Sequence, residues 1–304
     1  MTAARGRAGE GAGDTADRLA TDASTGGDAP VATDAAFAVG AAFAREIAER
    51  AGLILLDRYE RVGQIDHKSA KDVVTEVDHL SEALILGAIR DRFPGDGILA
   101  EESGEHKGVD ESAVRSLAHG RTWIIDPLDG TVNYANGLPH FCVSVGLVVD
   151  GRPAAGAVHD PMRGETFWAA ADGPAMLNET VIHASEKERL DDYVIAMALG
   201  GRSVTTRARA VRHAVRVARN MGSAALAMAY VARGRFDGYI QSGGMSAWDI
   251  AAAGLIAERA GAVVTDATGG QWFDVARATR TLGCVAAPAP HHAELLRLSR
   301  EPQG

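Results

Sequence analysis

Apolar positions along the chain follow two periods. Phe37, Phe43, Ile47, Ile54 and Leu55 fall mainly on one helical face, with Asp34 available to cap that helix. Leu80, Leu84, Ile85 and Ile89 repeat at the same spacing and predict a second helix from about Asp78 to Phe93, ended by Pro94-Gly95. The pattern then becomes strand-like. Gly97–Ala100 and Trp123–Ile125 read as buried strands that end at carboxylates. Phe141 to Val149, Ala154 to His159 and Thr166 to Ala170 alternate or run apolar between the turn signals Asp150-Gly151 and Asp160-Pro161, which predicts an antiparallel meander. After about Leu190 strands and helices alternate. The reading there is a strand at Tyr193–Leu199, an Arg-rich helix near Arg207–Arg219, a helix from Ser223, a strand near Tyr239, a helix opened by Asp249 and a strand at Ala262–Thr265. Mixed α and β layers are expected, an α+β class.

Met1 to about Thr33 is rich in Ala, Gly, Asp and Thr and has almost no large apolar residue. Such a segment buries too little surface to offset its ordering entropy, so 1–33 is expected to be a disordered tail. The remainder divides into an N-terminal half, 34–188, and a C-terminal half, 189–304. At 304 residues the chain is long enough for a large core. No apolar leader and no uninterrupted membrane span is evident. Cys142 and Cys284 lie far apart in apolar stretches, which fits buried free thiols and a cytoplasmic protein better than a disulfide framework. A formal charge of −9 argues against nucleic acid or an anionic membrane as the main partner. A small anionic substrate is compatible with it if bound cations reverse the sign locally.

The chemistry gathers at Trp123–Asn133. An apolar strand reaches Asp126; Pro127 removes an N–H and is expected to stop the ladder; Asp129 then faces the same space. Gly130-Thr131 leads toward a helix start, where free N–H groups favour a phosphate oxygen. Glu101-Glu102 follows another strand end, and Asp249 follows Trp248. Hard oxygen ligands brought together in this way suit Mg²⁺. Each residue also has a plainer reading: Asp129-Gly130 as an ordinary turn, Thr131, Asp78 and Asp249 as helix caps, Glu101-Glu102 as a solvated acidic loop like Glu105 and Asp110.

Five segments in order, Asp72–Asp78, Glu101–Ser103, Trp123–Asn133, Gly222–Leu226 and Trp248–Ala252, resemble the inositol monophosphatase family of Mg²⁺-dependent, Li⁺-sensitive phosphatases. The resemblance implies an αβαβα layered sandwich with the site between the halves, two or three Mg²⁺ ions, and a homodimer. It implies a first metal held by Glu101, Asp126 and the Leu128 carbonyl, and a second by Asp126, Asp129 and Asp249, so that Asp126 bridges. Thr131 would hydrogen-bond the attacking water and Asp78 would orient Thr131, with Glu101 in the catalytic group as well. Gly130, Thr131, Gly222, Ser223 and Ala224 would face phosphate and substrate. Lys68, one residue closer to Asp72 than in the family, and Glu102 are outer-shell candidates. The expected reaction is hydrolysis of a small phosphorylated substrate, inositol monophosphate or a related polyol or sugar phosphate, by metal-activated water.

Inositol-specific members carry a Glu between Tyr239 and Trp248, where this chain has Gln241 in a segment, Gln241–Ala247, that looks one residue longer. A neutral amide both donates and accepts, so a polyol is compatible but inositol specificity is not implied. Histidinol phosphate, fructose 1,6-bisphosphate and 3′-phosphoadenosine phosphates compete within the class. No second phosphate clamp is evident, unless Arg207, Arg209 or Arg219 faces the pocket. A regulatory or binding protein on the same fold is the alternative of another class. His67, His159, His291 and His292 show no zinc or triad pattern and are expected to be solvated or hydrogen-bonded.

Overall fold

The computed structural model describes residues 30–61, 65–69, 72–105, 119–201, 203–274 and 280–300. Most of the expected tail, 1–29, lies outside them. Helix α1 runs Pro30–Arg58. It begins ahead of Asp34, which therefore lies within the helix and does not cap it. Strands β1 (Ile65–Ser69) and β2 (Asp72–Thr75) form an antiparallel pair with an irregularity between His67 and Ser69. Helix α2 (Glu76–Arg92) is capped by Thr75, with Asp78 completing the capping box at the third helical position. Asp78 is thus a box partner, not the cap itself.

Strand β3 (Gly97–Ala100) leads into the short α3 (Glu101–Glu105), and β4 (Arg121–Asp129) into the short α4 (Thr131–Ala135). The meander follows as β5 (Cys142–Val149), β6 (Arg152–Asp160), β7 (Glu165–Ala170), β8 (Met176–Leu177) and β9 (Thr180–Val181). Together β3 to β9 make a 7-stranded sheet in chain order, parallel only between β3 and β4. Pro127 does not stop β4. Asp126 pairs with Ser144 and Asp129 with Cys142, so the ladder resumes after a bulge that absorbs Pro127.

The second sheet comprises β10 (Val194–Ala198), β11 (Val217–Arg219), β12 (Gly238–Met245), β13 (Ala262–Asp266) and β14 (Leu282–Pro288), in the order β11-β10-β12-β14-β13. Its helices are α5 (Val204–Ala214), α6 (Ala224–Ala232), α7 (Ala247–Arg259) and α8 (Ala289–Ser299). The Arg-rich helix is shorter than its pattern suggested, because Val217–Arg219 is strand β11 beside β10. Asp249 does not open α7; Ser246 caps it and Asp249 sits at the third position of a capping box.

Element contacts stack these parts as α1 and α2, the 7-stranded sheet, α6 and α7, the 5-stranded sheet, then α5 and α8. This is the αβαβα sandwich. Buried side chains divide accordingly: Trp123, Ile125, Val143 and Val145 pack toward α1 and α2, while Ile124 and Cys142 pack toward the central helices. On the other sheet Tyr239 faces the central helices and Ile195, Ile240 and Val285 face α5 and α8. Since side chains alternate along a strand, Asp126, two residues beyond Ile124, and Gln241, two beyond Tyr239, both face the central layer from opposite sheets.

Candidate active site

Asp126 and Asp129 on the β4 bulge and Asp249 on α7 each offer an oxygen, and these oxygens all lie within 4.8 Å of one another. Burial, and then the charges of Glu101, Asp129 and Asp249, push the Asp126 carboxyl well above its ordinary value. Buried carboxylates crowded together in this way repel unless protonated or neutralised by a cation, so the donor set fits a hard metal ion. Glu101 joins the cluster from the tip of β3. A pocket of ≈ 190 Å³ is lined by Glu101, Asp126, Leu128, Asp129, Thr131 and Asp249, with Gly130 and Gly222 at its wall.

Local structure fixes each group. Asp126 Oδ1 accepts from Leu128 N–H at 3.1 Å, and Ser81 Oγ donates to the Pro127 carbonyl at 2.9 Å, pinning the bulge to α2. Asp129 Oδ2 accepts from Ser223 Oγ at 2.5 Å and from Ala225 N–H at 2.7 Å, with Ala224 N–H at 3.3 Å on Oδ1. It therefore sits on the N-terminus of α6, where free N–H groups and the helix dipole favour negative charge. Burial still raises its pKa against those donors. Asp249 Oδ2 accepts from Ser246 N–H at 2.6 Å.

Thr131 Oγ lies 3.2 Å from Asp78 Oδ1 and 3.0 Å from the Leu128 carbonyl oxygen. Asp78 Oδ2 accepts from Thr75 N–H at 2.8 Å and from Thr75 Oγ at 2.6 Å, and burial raises its pKa despite them. Thr131 is the first residue of α4 and the cap position belongs to Gly130, so the plainer reading of Thr131 as a cap does not apply.

Gly130 and Gly222 permit the two loops to approach. Both have positive φ, 96° and 77°. A β-carbon on Gly130 would lie 3.0 Å from the His140 carbonyl oxygen, and one on Gly222 2.9 Å from the Asn133 amide. Asn133 was not singled out by its sequence position, yet its Nδ2 donates to the carbonyls of His140 and Met221 at 2.7 and 2.8 Å, tying α4 to the turn before Ser223. Arg280 was missed too. It lines the acidic pocket, and its N–H donates to the Ser246 hydroxyl at 3.0 Å.

A second pocket of ≈ 270 Å³ shares Asp129, Gly222, Gly244 and Asp249 with the first and adds Ser223, Ala224, Tyr239 and Gln241. Gln241 and Gly244 also line a groove of ≈ 800 Å³ with Gly200, Arg207, Ser242 and Arg300. Gln241 lies on β12, and Gln241–Ala247 is mostly strand, with a bulge in its pairing to β14 between Gln241 and Met245. Arg207 thus faces the groove, its guanidinium donating to the Ser299 and Gly200 carbonyls, whereas Arg209 and Arg219 are not among the residues lining these pockets. Glu102 is buried, and its N–H donates to Glu82 at 2.9 Å. The side chains of Lys68, His67 and Glu105, and all of Asp110, lie outside the described residues. His159 and His292 are buried and hydrogen-bonded to Thr166 and Thr265; His291 is half-buried with its Nε2 at the Glu188 carbonyl. Cys142 and Cys284 are buried free thiols, as expected.

The profile of the inositol monophosphatase family matches residues 38–303. The chain is 38% identical to the Nus factor SuhB of Escherichia coli (strain K12) over 231 residues, 73% of this chain and 83% of that protein. It is 33% identical over 241 residues to an inositol monophosphatase of Mesembryanthemum crystallinum, covering 77% and 87% of the two. Among solved structures, the extragenic suppressor protein suhB of Bartonella henselae superposes with a TM-score of 0.77 at 31% identity, over 87% of this chain and 99% of that one. An IMPase of Thermotoga maritima gives 0.74 at 31%, over 85% and 95%. With sequence profile, relatives and layering in agreement, the chain belongs to the inositol monophosphatase family.

Proposed function

We propose that this protein is a Mg²⁺-dependent phosphomonoesterase acting on a small phosphorylated alcohol. The observation that carries the reading is the crowded set of buried Asp126 and Asp129 with half-buried Asp249, beside Glu101 and adjoining the Thr131–Asp78 contact. Glu101, Asp126 and the Leu128 carbonyl would hold one ion, and Asp126, Asp129 and Asp249 a second. Magnesium ions bound there supply positive charge to the phosphate and leaving oxygen and acidify the attacking water.

The protein's own groups orient the displacement. Thr131 Oγ accepts a hydrogen bond from the attacking water while its proton points to Asp78 Oδ1. As the water oxygen bonds to phosphorus it releases one proton to solvent, the ester P–O bond breaks, and the alkoxide takes up a proton from solvent and leaves as the alcohol. The Gly130-Thr131 backbone at the start of α4 keeps N–H groups toward the phosphate side, while the α6 N-terminus is committed to Asp129 and Ser223, Ala224 and Gln241 border the alcohol side. Inositol monophosphate or a related polyol or sugar phosphate remains the working substrate. A cytoplasmic homodimer is the working assembly, testable by light scattering; among the described residues no helix is long and apolar enough to cross a membrane.

Phosphate release from purified protein, with and without Mg²⁺, over phosphorylated polyols, sugars, histidinol and nucleotides tests this directly. Absence of metal-dependent release from every ester, in folded protein, would overturn it. A second reading, a Nus factor role independent of turnover, is favoured by the name of the 38%-identical Escherichia coli relative. A variant that loses phosphate release yet retains its cellular function would select that reading.

A further inference from the structure

Gln241 Nε2 donates to the Gly243 carbonyl at 3.1 Å. A carbonyl only accepts, so the nitrogen must face Gly243, and the amide oxygen must face the buried Tyr239 hydroxyl, which donates to it. The orientation of the amide is therefore set by its partners. Its carbonyl end is turned inward onto the buried phenol. Its N–H end lies at the Gly243-Gly244 bulge, where a β-carbon on Gly244 would stand 3.9 Å from Nε2. Gly244 borders the acidic pocket, the alcohol pocket and the ≈ 800 Å³ groove alike.

Charge along this line changes sign. The acidic pocket carries four carboxylates, whereas the groove beyond Gln241 has Arg207 and Arg300 and no Asp or Glu among its described lining residues, with the Ser242 and Thr268 hydroxyls beside them. Gln241 stands where the two meet. An amide presenting N–H here, with cations behind it, matches a hydrogen-bond acceptor carrying negative charge. A neutral hydroxyl can accept the same N–H, but it gains nothing from the positive charge of the two arginines that line the groove.

We infer that Gln241 is a specificity-determining residue selecting phosphate esters whose alcohol part carries a second anionic group, a carboxylate or a phosphate, held at Gln241 Nε2 and toward the Arg207–Arg300 groove. This rests on the phosphatase reading for which end of the ligand is which. It narrows that reading, among small phosphorylated alcohols, to those with a second anionic group.

The test compares non-hydrolysable phosphonate analogues of glycerol 1-phosphate and 3-phosphoglycerate, which differ by a hydroxymethyl against a carboxylate. A sugar bisphosphonate forms a third arm. Binding to the Mg²⁺-loaded full chain is measured by calorimetry for wild type, Gln241→Glu and Arg300→Gln. The expected result is roughly tenfold or more tighter binding of at least one anionic analogue by wild type. That preference should be lost or reversed in Gln241→Glu, because the carboxylate repels an anionic tail. Preference for the carboxylate analogue places the anion near the ester; preference confined to the bisphosphonate places it in the groove. Equal binding of all three by wild type overturns the inference, as does a preference unchanged in Gln241→Glu or removed only by Arg300→Gln. Hydrolysis of an aryl phosphate by wild type, measured separately, reports on the phosphatase reading, so the two can fail independently.

Discussion

Ser223 Oγ donates to Asp129 Oδ2 at 2.5 Å, joining the end of β4 to the residue that precedes α6, 94 positions on. The same carboxylate accepts from Ala225 N–H at 2.7 Å, and the Cys142 thiol lies 3.7 Å away. Asp129 is therefore both a candidate ligand and the anchor of α6. Ser223→Ala removes a charge-assisted hydrogen bond from a buried carboxylate, a loss of about 1.5–3 kcal/mol. Denaturant unfolding should show a shift within that range, and the Mg²⁺ concentration for half-maximal phosphate release should rise, since the carboxylate loses its orienting donor. An unchanged Mg²⁺ requirement would place Asp129 outside the metal set.

Asp126→Asn separates charge from geometry. An asparagine carbonyl can still accept from Leu128 N–H, so the bulge has reason to persist. Removing one carboxyl from a cluster whose members repel should leave the metal-free protein at least as stable as wild type in chelator. Turnover should fall by about 10³ or more, because several kcal/mol of preorganised charge stabilisation is lost. Thermal melting in chelator and phosphate release at saturating Mg²⁺ read the two effects separately. Near-normal turnover would sink the metal assignment.

Thr131 offers one proton to two acceptors, Asp78 Oδ1 and the Leu128 carbonyl. Valine has nearly the same shape without the hydroxyl. Thr131→Val should lower kcat about 10²-fold, within the usual range for a lost proton-handling contact. Serine, which restores the hydroxyl, should recover most of it. If serine fared no better than valine, packing of the methyl would be the role of Thr131.

Much of this site can be read in the chain because its carboxylates sit at the ends of short, strongly patterned elements. Asp126 follows Trp123-Ile124-Ile125, and Asp249 follows Trp248, so type and local context were both visible. Their convergence came only from the family resemblance and not from the pattern, since Asp249 reaches Asp126 only through packing of α7 against β4, β5 and β6. Elements covered on both faces were hardest to read. Strand β14 is a central strand of small apolar residues between β12 and β13, and it lacks the alternation that marks a half-exposed strand. Strand β11 was absorbed into the preceding helix because the Arg-rich pattern continues through Val217–Arg219. Asn133 closes the Trp123–Asn133 motif, but its bridging role was not legible there, as one of its partners, Met221, lies 88 residues away.

Glu165 supplies a pH test remote from the site. Arg235 contacts both of its oxygens at 2.6 Å and Arg163 adds a further bond, holding its carboxyl at about 2 against an ordinary 4.5. A depressed folded-state pKa means that the unfolded chain takes up the proton first. The stabilisation is therefore complete above the unfolded value and is lost as pH falls from about 4.5 toward about 2. Glu165→Gln should thus be less stable than wild type near neutrality, by at most about 3 kcal/mol on the size of the shift. The gap should close on acidification, followed by urea unfolding at stepped pH. A gap independent of pH would mean that Glu165 contributes by packing alone.

Gly222, at the wall of the acidic pocket, carries a strong backbone constraint. Its φ of 77° disfavours any side chain, and an added methyl would meet the Asn133 amide at 2.9 Å. Asn133 cannot retreat freely, because its Nδ2 is committed to the His140 and Met221 carbonyls. Gly222→Ala should therefore cost about 2 kcal/mol or more, and it should displace the neighbouring Ser223 from Asp129. Activity should fall with stability, and the Mg²⁺ requirement should rise as it does in Ser223→Ala. The double variant Gly222→Ala, Ser223→Ala provides the check: if the glycine acts on the site through Ser223, its effect on Mg²⁺ requirement should be largely absent once the hydroxyl is gone. Additive effects would instead mean that Gly222 shapes the pocket wall directly.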